Sequence, residues 1–106
     1  MNKSEKNKIA KVFRVAADNT MRQGLTKGTF GHPGSSNCIL GHVSFVESKC
    51  TVPDSYSGTD TAVGYLCCEA RTIGAVPAVS LNDELETNKE DIASLLLSEA
   101  IYLENE

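Results

Sequence analysis

Cys38, His42 and His32 are the residues of this chain whose types and spacing could do covalent chemistry. Cys38 is expected in the first turn of a helix, where the positive end of the helix dipole favours a thiolate. His42 lies one helical turn later, and Asn82 or Asp83 could orient an imidazole. These are the parts of a cysteine hydrolase or transferase. No established sequence signature surrounds Cys38, so the favoured interpretation is a buried structural thiol beside a surface His42.

The same residues could also bind a metal. Cys38, His42 and His32 with Cys67 or Cys68 would supply four ligands. Zinc sites usually show short paired spacings such as Cys-x-x-Cys, and this chain has none. The sequence therefore predicts no metal and no cofactor.

A glycine-rich segment from Gly24 to Asn37 precedes Cys38 and is too broken to form a helix. Its backbone N–H groups could bind phosphate at the start of the next helix, although the Gly-Lys-Ser/Thr pattern of a P-loop is missing. A surface loop is the favoured interpretation, and a module that sequesters a small molecule or nucleotide stays open. The candidate ligand-binding or partner-binding residues are Gly28, Gly31, His32, Gly34 and His42.

The sequence predicts that the elements positioning these residues are helices. In the first, apolar residues recur at helical spacing after a Ser4 cap, and Gly24 gives a left-handed stop. Its predicted inner face is Ile9, Val12, Phe13, Ala16, Thr20 and Met21.

Two central helices are predicted, the first from Cys38 to Cys50 with a Ser36 or Asn37 cap. The other runs roughly from Thr59 to Thr72. Gly41 and Gly64 suggest that these helices approach closely. The predicted buried residues are Ile39, Val43, Val46, Cys50, Ala62, Val63, Leu66, Cys67, Ala70 and Ile73.

The last helix has the clearest local signal, because Thr87 and Glu90 match a capping box. Its predicted apolar face is Ile92, Leu95, Leu96, Ala100 and Leu103. The sequence thus predicts a single all-α domain over 1–106, with about four helices and a long Gly-rich loop between the first two. Residues 1–4 and 104–106 are expected to fray.

The composition indicates a small globular protein without a membrane-spanning segment. The chain has 106 residues, of which 41% are hydrophobic, enough for one modest core. No apolar run approaches the roughly 20 residues that span a bilayer. The charged N-terminus is not a secretory signal, so a cytoplasmic location is predicted, with the four cysteines as free thiols.

Charge is distributed unevenly along the chain. Residues 1–27 hold seven Lys and Arg against two acids, whereas residues 28–106 hold three against twelve. The favoured interpretation is that the basic first helix faces the acidic last helix, either of its own fold or of a second copy in a homo-oligomer. Nucleic acid is not expected, because no aromatic residues interleave with the basic ones.

The order of three motifs resembles a domain-of-unknown-function family of actinobacteria and phages. They are Gln23-Gly24, then Cys38-Ile39-Leu40-Gly41-His42, then Leu81-Asn82-Asp83 before the last helix. In that helix the matching residues are Thr87, Glu90, Asp91, Ile92, Leu95 and Leu96. Leu81 replaces the Trp of the family, and His42 replaces a small residue. The resemblance implies a fold and a phage or mobile-element source, and no activity.

The function expected from these observations is non-enzymatic binding of a macromolecular partner, namely another protein, with no membrane involved. The resemblance adds a phage accessory or counter-defence role. A Cys38-dependent hydrolase or transferase and a small-molecule-sequestering module are the alternatives.

Overall fold

The computed structural model describes residues 2–26, 38–47, 62, 65 and 87–105. Three helices lie within these ranges: α1 (Lys3–Gln23), α2 (Ile39–Glu47) and α3 (Lys89–Asn105). Ala62 and Tyr65 are also helical, and no strand occurs in the described ranges. The all-α prediction is confirmed for this part of the chain. Lys3, Ser4, Glu104 and Asn105, which were expected to fray, are helical.

The first helix begins two residues earlier than the sequence suggested. The Oδ1 atom of Asn2 accepts a hydrogen bond of 2.8 Å from the N–H of Glu5, so Asn2 is the cap and the Ser4 prediction is wrong. The helix ends at Gln23, and the N–H of the C-cap residue Gly24 donates to the Thr20 carbonyl at 3.0 Å. Gly24 has φ 95° and ψ 173°, a region open essentially to glycine alone. The predicted glycine stop is therefore confirmed.

The inner face of α1 follows the predicted spacing, with one exception. Ile9, Phe13, Ala16 and Thr20 are buried as predicted, and Val12 is partly buried. Met21 is 40% exposed, so its predicted burial is wrong. Ala10 and Ala17 are also buried, and helical spacing places them on the same side of the face as Met21, so the buried face extends in that direction and Met21 lies at its edge.

A capping box starts α3, one residue later than predicted. The N–H of Asp91 donates to Oδ1 of Asn88 at 2.9 Å, and the N–H of Asn88 donates to Oδ2 of Asp91 at 3.2 Å. The prediction that Thr87 and Glu90 form this box is wrong. Thr87 is buried, and Asn is at least as good a cap as Thr.

The apolar face of α3 follows the predicted spacing. Ile92, Leu96, Ala100 and Leu103 are buried, and Leu95 is partly buried against the core. Ala93 is buried in addition. Both α1 and α3 therefore bury a pair of alanines seven residues apart, Ala10 with Ala17 and Ala93 with Ala100, and such small residues allow two helix backbones to approach closely.

The helices α1 and α3 are antiparallel and share the most extensive contact among the described elements. At one end Lys89 Nζ donates to the Met21 carbonyl at 3.1 Å. At the other end Arg14 forms a two-pronged ion pair with Glu104, with N···O distances of 2.6 and 2.8 Å. Lys3 Nζ also donates to the Glu104 carbonyl. The basic first helix thus contacts the acidic last helix of its own chain.

The second helix packs against α1 and contributes Ile39, Val43 and Phe45 to the buried residues, with Val46 partly buried. Gly41, expected at a close helix approach, is buried, whereas Gly64 lies outside the described residues. Also outside them are the predicted core residues Cys50, Val63, Leu66, Cys67, Ala70 and Ile73.

Two described residues connect the central chain to this framework. The N–H of Ala62 donates to Oε2 of Glu47 at 2.5 Å. The Tyr65 ring packs against Phe13 with centroids 5.8 Å apart, and its hydroxyl donates to Oε2 of Glu99 at 2.9 Å. Ala62 is buried, as predicted. None of the helices in the described ranges has both the length and the apolar character needed to cross a membrane.

Candidate functional site

Cys38 is the N-cap of α2. Its Sγ accepts a hydrogen bond of 3.2 Å from the N–H of Gly41, three residues on. Its carbonyl accepts the first helical hydrogen bond, from the N–H of His42 at 2.9 Å. Cys38 is therefore the N-cap in place of the predicted Ser36 or Asn37, and it precedes the first turn of α2 instead of lying within it. The side chain is partly buried against the core.

The His42 ring joins the start of α2 to the end of α1. It is only 2% exposed, so the expectation of a surface histidine is wrong. Its Nε2 lies 2.7 Å from the Gly24 carbonyl oxygen. A carbonyl can only accept, so Nε2 carries the proton and Nδ1 holds the lone pair in the neutral ring. We call Gly24, Cys38 and His42 the α2 corner.

The electrostatics of the α2 corner suit a structural role for His42. Burial lowers the pKa of His42 below its ordinary value, and this effect outweighs the hydrogen bond to the Gly24 carbonyl, which acts in the opposite direction. The ring is therefore neutral at neutral pH and resists protonation. A general base must accept a proton, so this environment does not favour His42 as the base for a Cys38 nucleophile.

The remaining candidates from the sequence lie outside the described residues. These are Gly28, Gly31, His32, Gly34, Cys67, Cys68, Asn82 and Asp83. Among the residues that the structure does describe, no group of three His, Cys, Asp or Glu side chains could hold a metal ion. The loop and hydrolase hypotheses stay predictions.

A different surface emerges on α3, which we call the α3 outer face. It consists of five exposed and uncharged side chains: Ser94, Leu97, Ser98, Ile101 and Tyr102. Leu97 is 39%, Ile101 49% and Tyr102 55% exposed. Leu97 and Ile101 are one helical turn apart and so are neighbours on the helix surface. The sequence could have predicted this exposure, because Leu97 and Ile101 are not part of the predicted apolar face of α3.

An ion pair between α1 and α3 borders the C-terminal end of the α3 outer face. Glu104 continues the row of Leu97 and Ile101 at helical spacing, and it pairs with Arg14 of α1. The hydrogen bonds from Arg14 hold the pKa of the Glu104 carboxyl below its ordinary value, and Glu104 raises the pKa of Arg14. Lys8 and Lys11 are also exposed on α1, and helical spacing turns them progressively around the helix from Arg14.

Comparison of the chain with protein-family models, with curated proteins and with solved structures found no match. The family resemblance of the three motifs therefore stays a prediction, and the candidate sites are argued from their geometry alone.

Proposed function

We propose that this protein is a small, non-enzymatic binding protein that engages another protein through the α3 outer face. The observation that carries the proposal is the exposed, uncharged surface formed by Leu97, Ile101 and Tyr102 with the adjacent Ser94 and Ser98. Single exposed apolar residues are common on protein surfaces, but neighbouring ones on one helix face are a feature of interaction sites.

The fold does not require these side chains to be apolar. Ile92, Leu96, Ala100 and Leu103 already supply the buried stripe of α3. Covering a Leu or Ile side chain fully contributes about 1.5–3 kcal/mol, so a partner that buried Leu97 and Ile101 would gain a useful share of its binding energy there. Ser94 and Ser98 are small enough to let a partner backbone approach α3.

The α2 corner also favours a non-enzymatic function, because its polar groups have structural roles. The Cys38 thiol caps a helix, and the His42 imidazole bonds to the Gly24 carbonyl. Both groups are engaged by the backbone of their own chain, and this arrangement serves folding. The hydrolase and sequestering hypotheses rest mainly on residues outside the described ranges. The phage or counter-defence role rests on the motif resemblance alone.

Affinity capture with matched variants tests the proposal. Tagged wild type, Leu97→Ser/Ile101→Ser and Val15→Ser would be used as baits in extracts of the source cells, followed by mass spectrometry. Val15 is a suitable control because it is equally exposed but lies on α1. We expect a protein captured by wild type and by Val15→Ser, and lost with the double variant. Capture of the same proteins by all three baits would contradict the proposal, provided that thermal melts show all three folded.

A further inference from the structure

We infer that the partner of the α3 outer face presents a basic amphipathic helix, whose positive charge lies over the start of α3. This inference rests on the proposed function and adds the chemistry of the partner. Two observations support it: the shape of the α3 outer face and the charges at its two ends.

The shape of the α3 outer face suits a helix. Leu97 and Ile101 are four residues apart and form a ridge along α3, which we call the apolar row. Ser94 and Ser98 form the neighbouring row, and their small side chains leave room beside the ridge. Helices pack by fitting the ridge of one helix into the groove of another. A partner helix can therefore lie over the serines with its own apolar residues against Leu97 and Ile101.

The start of α3 carries negative charge in line with the apolar row. Glu90 lies seven residues before Leu97, so helical spacing places the two on the same side of α3. Glu90 and Asp91 are both exposed, and neither forms an ion pair within the described part of the chain. Lys89 is the only basic residue of α3, and its Nζ is directed to α1, where it donates to the Met21 carbonyl.

The other end of the apolar row differs in charge. Glu104 lies there, and its carboxylate pairs with Arg14 while its carbonyl accepts a hydrogen bond from Lys3. Both bases come from α1, so among the described residues this end has no carboxylate without a basic partner. A partner helix therefore meets free negative charge only near the start of α3, and we expect its basic residues at that end.

Other occupants complement this surface less well. An acidic helix, a nucleic acid or the α3 helix of a second copy would each bring negative charge to Glu90 and Asp91, which opposes association. A second copy would have to present its basic helix, α1, instead. The large exposed apolar residues of α1 are Val15 and Met21, and helical spacing places them about 120° apart around the helix. They form no row that could cover Leu97 and Ile101 together.

Selection from a peptide-display library tests the inference with the full-length chain as bait. The library would contain helical peptides that share an apolar row and differ in flanking charge: basic, neutral or acidic. We expect the enriched peptides to be basic, with their positive charges clustered at one end of the apolar row. Their affinities would be measured by fluorescence polarisation at low and high salt, and we expect binding to weaken as salt rises.

Three variants separate the contributions to binding. Leu97→Ser/Ile101→Ser should weaken an enriched peptide by about tenfold or more, as loss of central apolar contacts does in other interfaces. Glu90→Lys should weaken the same peptide several-fold and should improve binding of its charge-reversed counterpart. Glu90→Gln serves as the milder variant should the charge reversal reduce folding.

Glu5→Lys is the matched control for Glu90→Lys. Both residues are acids in the first turn of a helix, where negative charge interacts favourably with the helix dipole, so the two variants should lose similar stability. Helical spacing places Glu5 about 180° around α1 from Arg14, the residue that contacts α3. Glu5→Lys should therefore leave the affinities of both peptides unchanged.

The possible outcomes distinguish the inference from the proposed function. Enrichment of acidic or uncharged peptides that still depend on Leu97 and Ile101 would overturn the inference and leave the proposed function standing. The same holds for basic peptides that Glu90→Lys and Glu5→Lys weaken equally, because the attraction would then be unspecific. Enrichment that ignores Leu97 and Ile101, or no enrichment, would overturn both. Self-association in ultracentrifugation, abolished by Leu97→Ser/Ile101→Ser, would overturn the inference by making a second copy the occupant.

Discussion

At the start of each described helix, one side chain accepts the N–H of the residue three positions later. Asn2 bonds to Glu5, Cys38 to Gly41 and Asn88 to Asp91. Asparagine is among the strongest residues at this position, whereas sulfur is a weak acceptor. The three caps should therefore differ in what they contribute to stability.

The cap of α3 gives the first prediction. Asn88→Ala should lower the free energy of unfolding by about 1 kcal/mol, because it removes the acceptor for the Asp91 N–H. Urea denaturation followed by circular dichroism measures the loss. Asn88→Asp is the control and should keep most of the stability, since its carboxylate can accept the same bond. Equal stability of wild type and Asn88→Ala would show that the cap contributes nothing.

The cap of α2 gives a second prediction. Cys38→Ser should leave stability close to that of wild type, because a serine hydroxyl can accept the Gly41 N–H in place of Sγ. Cys38→Ala should cost roughly 0.5–2 kcal/mol, the usual cost of losing a cap acceptor. Thermal melts of both variants make the comparison. A serine variant as unstable as the alanine one would mean that apolar packing of the sulfur, rather than capping, is what matters.

At the scale of elements, α1 and α3 form the principal contact in the described part of the chain. Phe13 and Leu96 are fully buried in the shared core. The small residues of the two buried faces are Ala10, Ala16, Ala17, Ala93 and Ala100. The ion pair between Arg14 and Glu104 lies at the exposed edge, where such pairs contribute little. Burial of apolar area therefore holds these helices together, and the charges mainly favour the antiparallel pairing.

Phe13 is more deeply buried than Leu95, so truncating each to alanine should lower the free energy of unfolding by different amounts. Phe13→Ala should destabilise by about 3–5 kcal/mol, because it removes a fully buried ring that also packs on Tyr65. Leu95→Ala should cost less than Phe13→Ala, since Leu95 is only partly buried. Urea denaturation of both variants measures the difference. A greater loss for Leu95→Ala would contradict the described core.

At the scale of the whole molecule, His42 makes stability depend on pH. Its pKa in the folded protein is lowered by burial, so the unfolded chain binds the proton more readily. The contribution of the neutral ring is complete above its ordinary pKa of about 6.5 and is lost as pH falls below that value. Acidification therefore favours unfolding, and it weakens the connection of α1 to α2.

The test compares melting temperatures at about pH 7.5 and 5.5, which bracket the ordinary histidine pKa. Wild type should melt at a lower temperature at the acidic pH. His42→Gln, which can still donate to the Gly24 carbonyl but does not titrate, should lose most of this dependence. His32→Gln is the matched control and keeps His42 in place. An unchanged pH dependence in His42→Gln would exclude His42 as its source.

The sequence by itself determined the features that depend on near neighbours. Helical spacing predicts α1 and α3, and the stop at Gly24 follows from a glycine that can take positive φ. The inner stripe of α3 also follows from spacing alone, because residues one turn apart share a face. The start of α3 was misplaced by one residue because Thr87 and Asn88 can both cap, each with an acid three residues later.

Only the tertiary structure decided the features that depend on distant residues. His42 is buried because it meets Gly24, 18 residues away, and Glu104 pairs with Arg14 across 90 residues. The residue type of Cys38 suggested catalytic chemistry, but in the structure Cys38 is the N-cap of α2. The exposed apolar side chains are those of Leu97 and Ile101. Spacing shows which residues share a helix face, but the packing of neighbouring helices determines which face is covered.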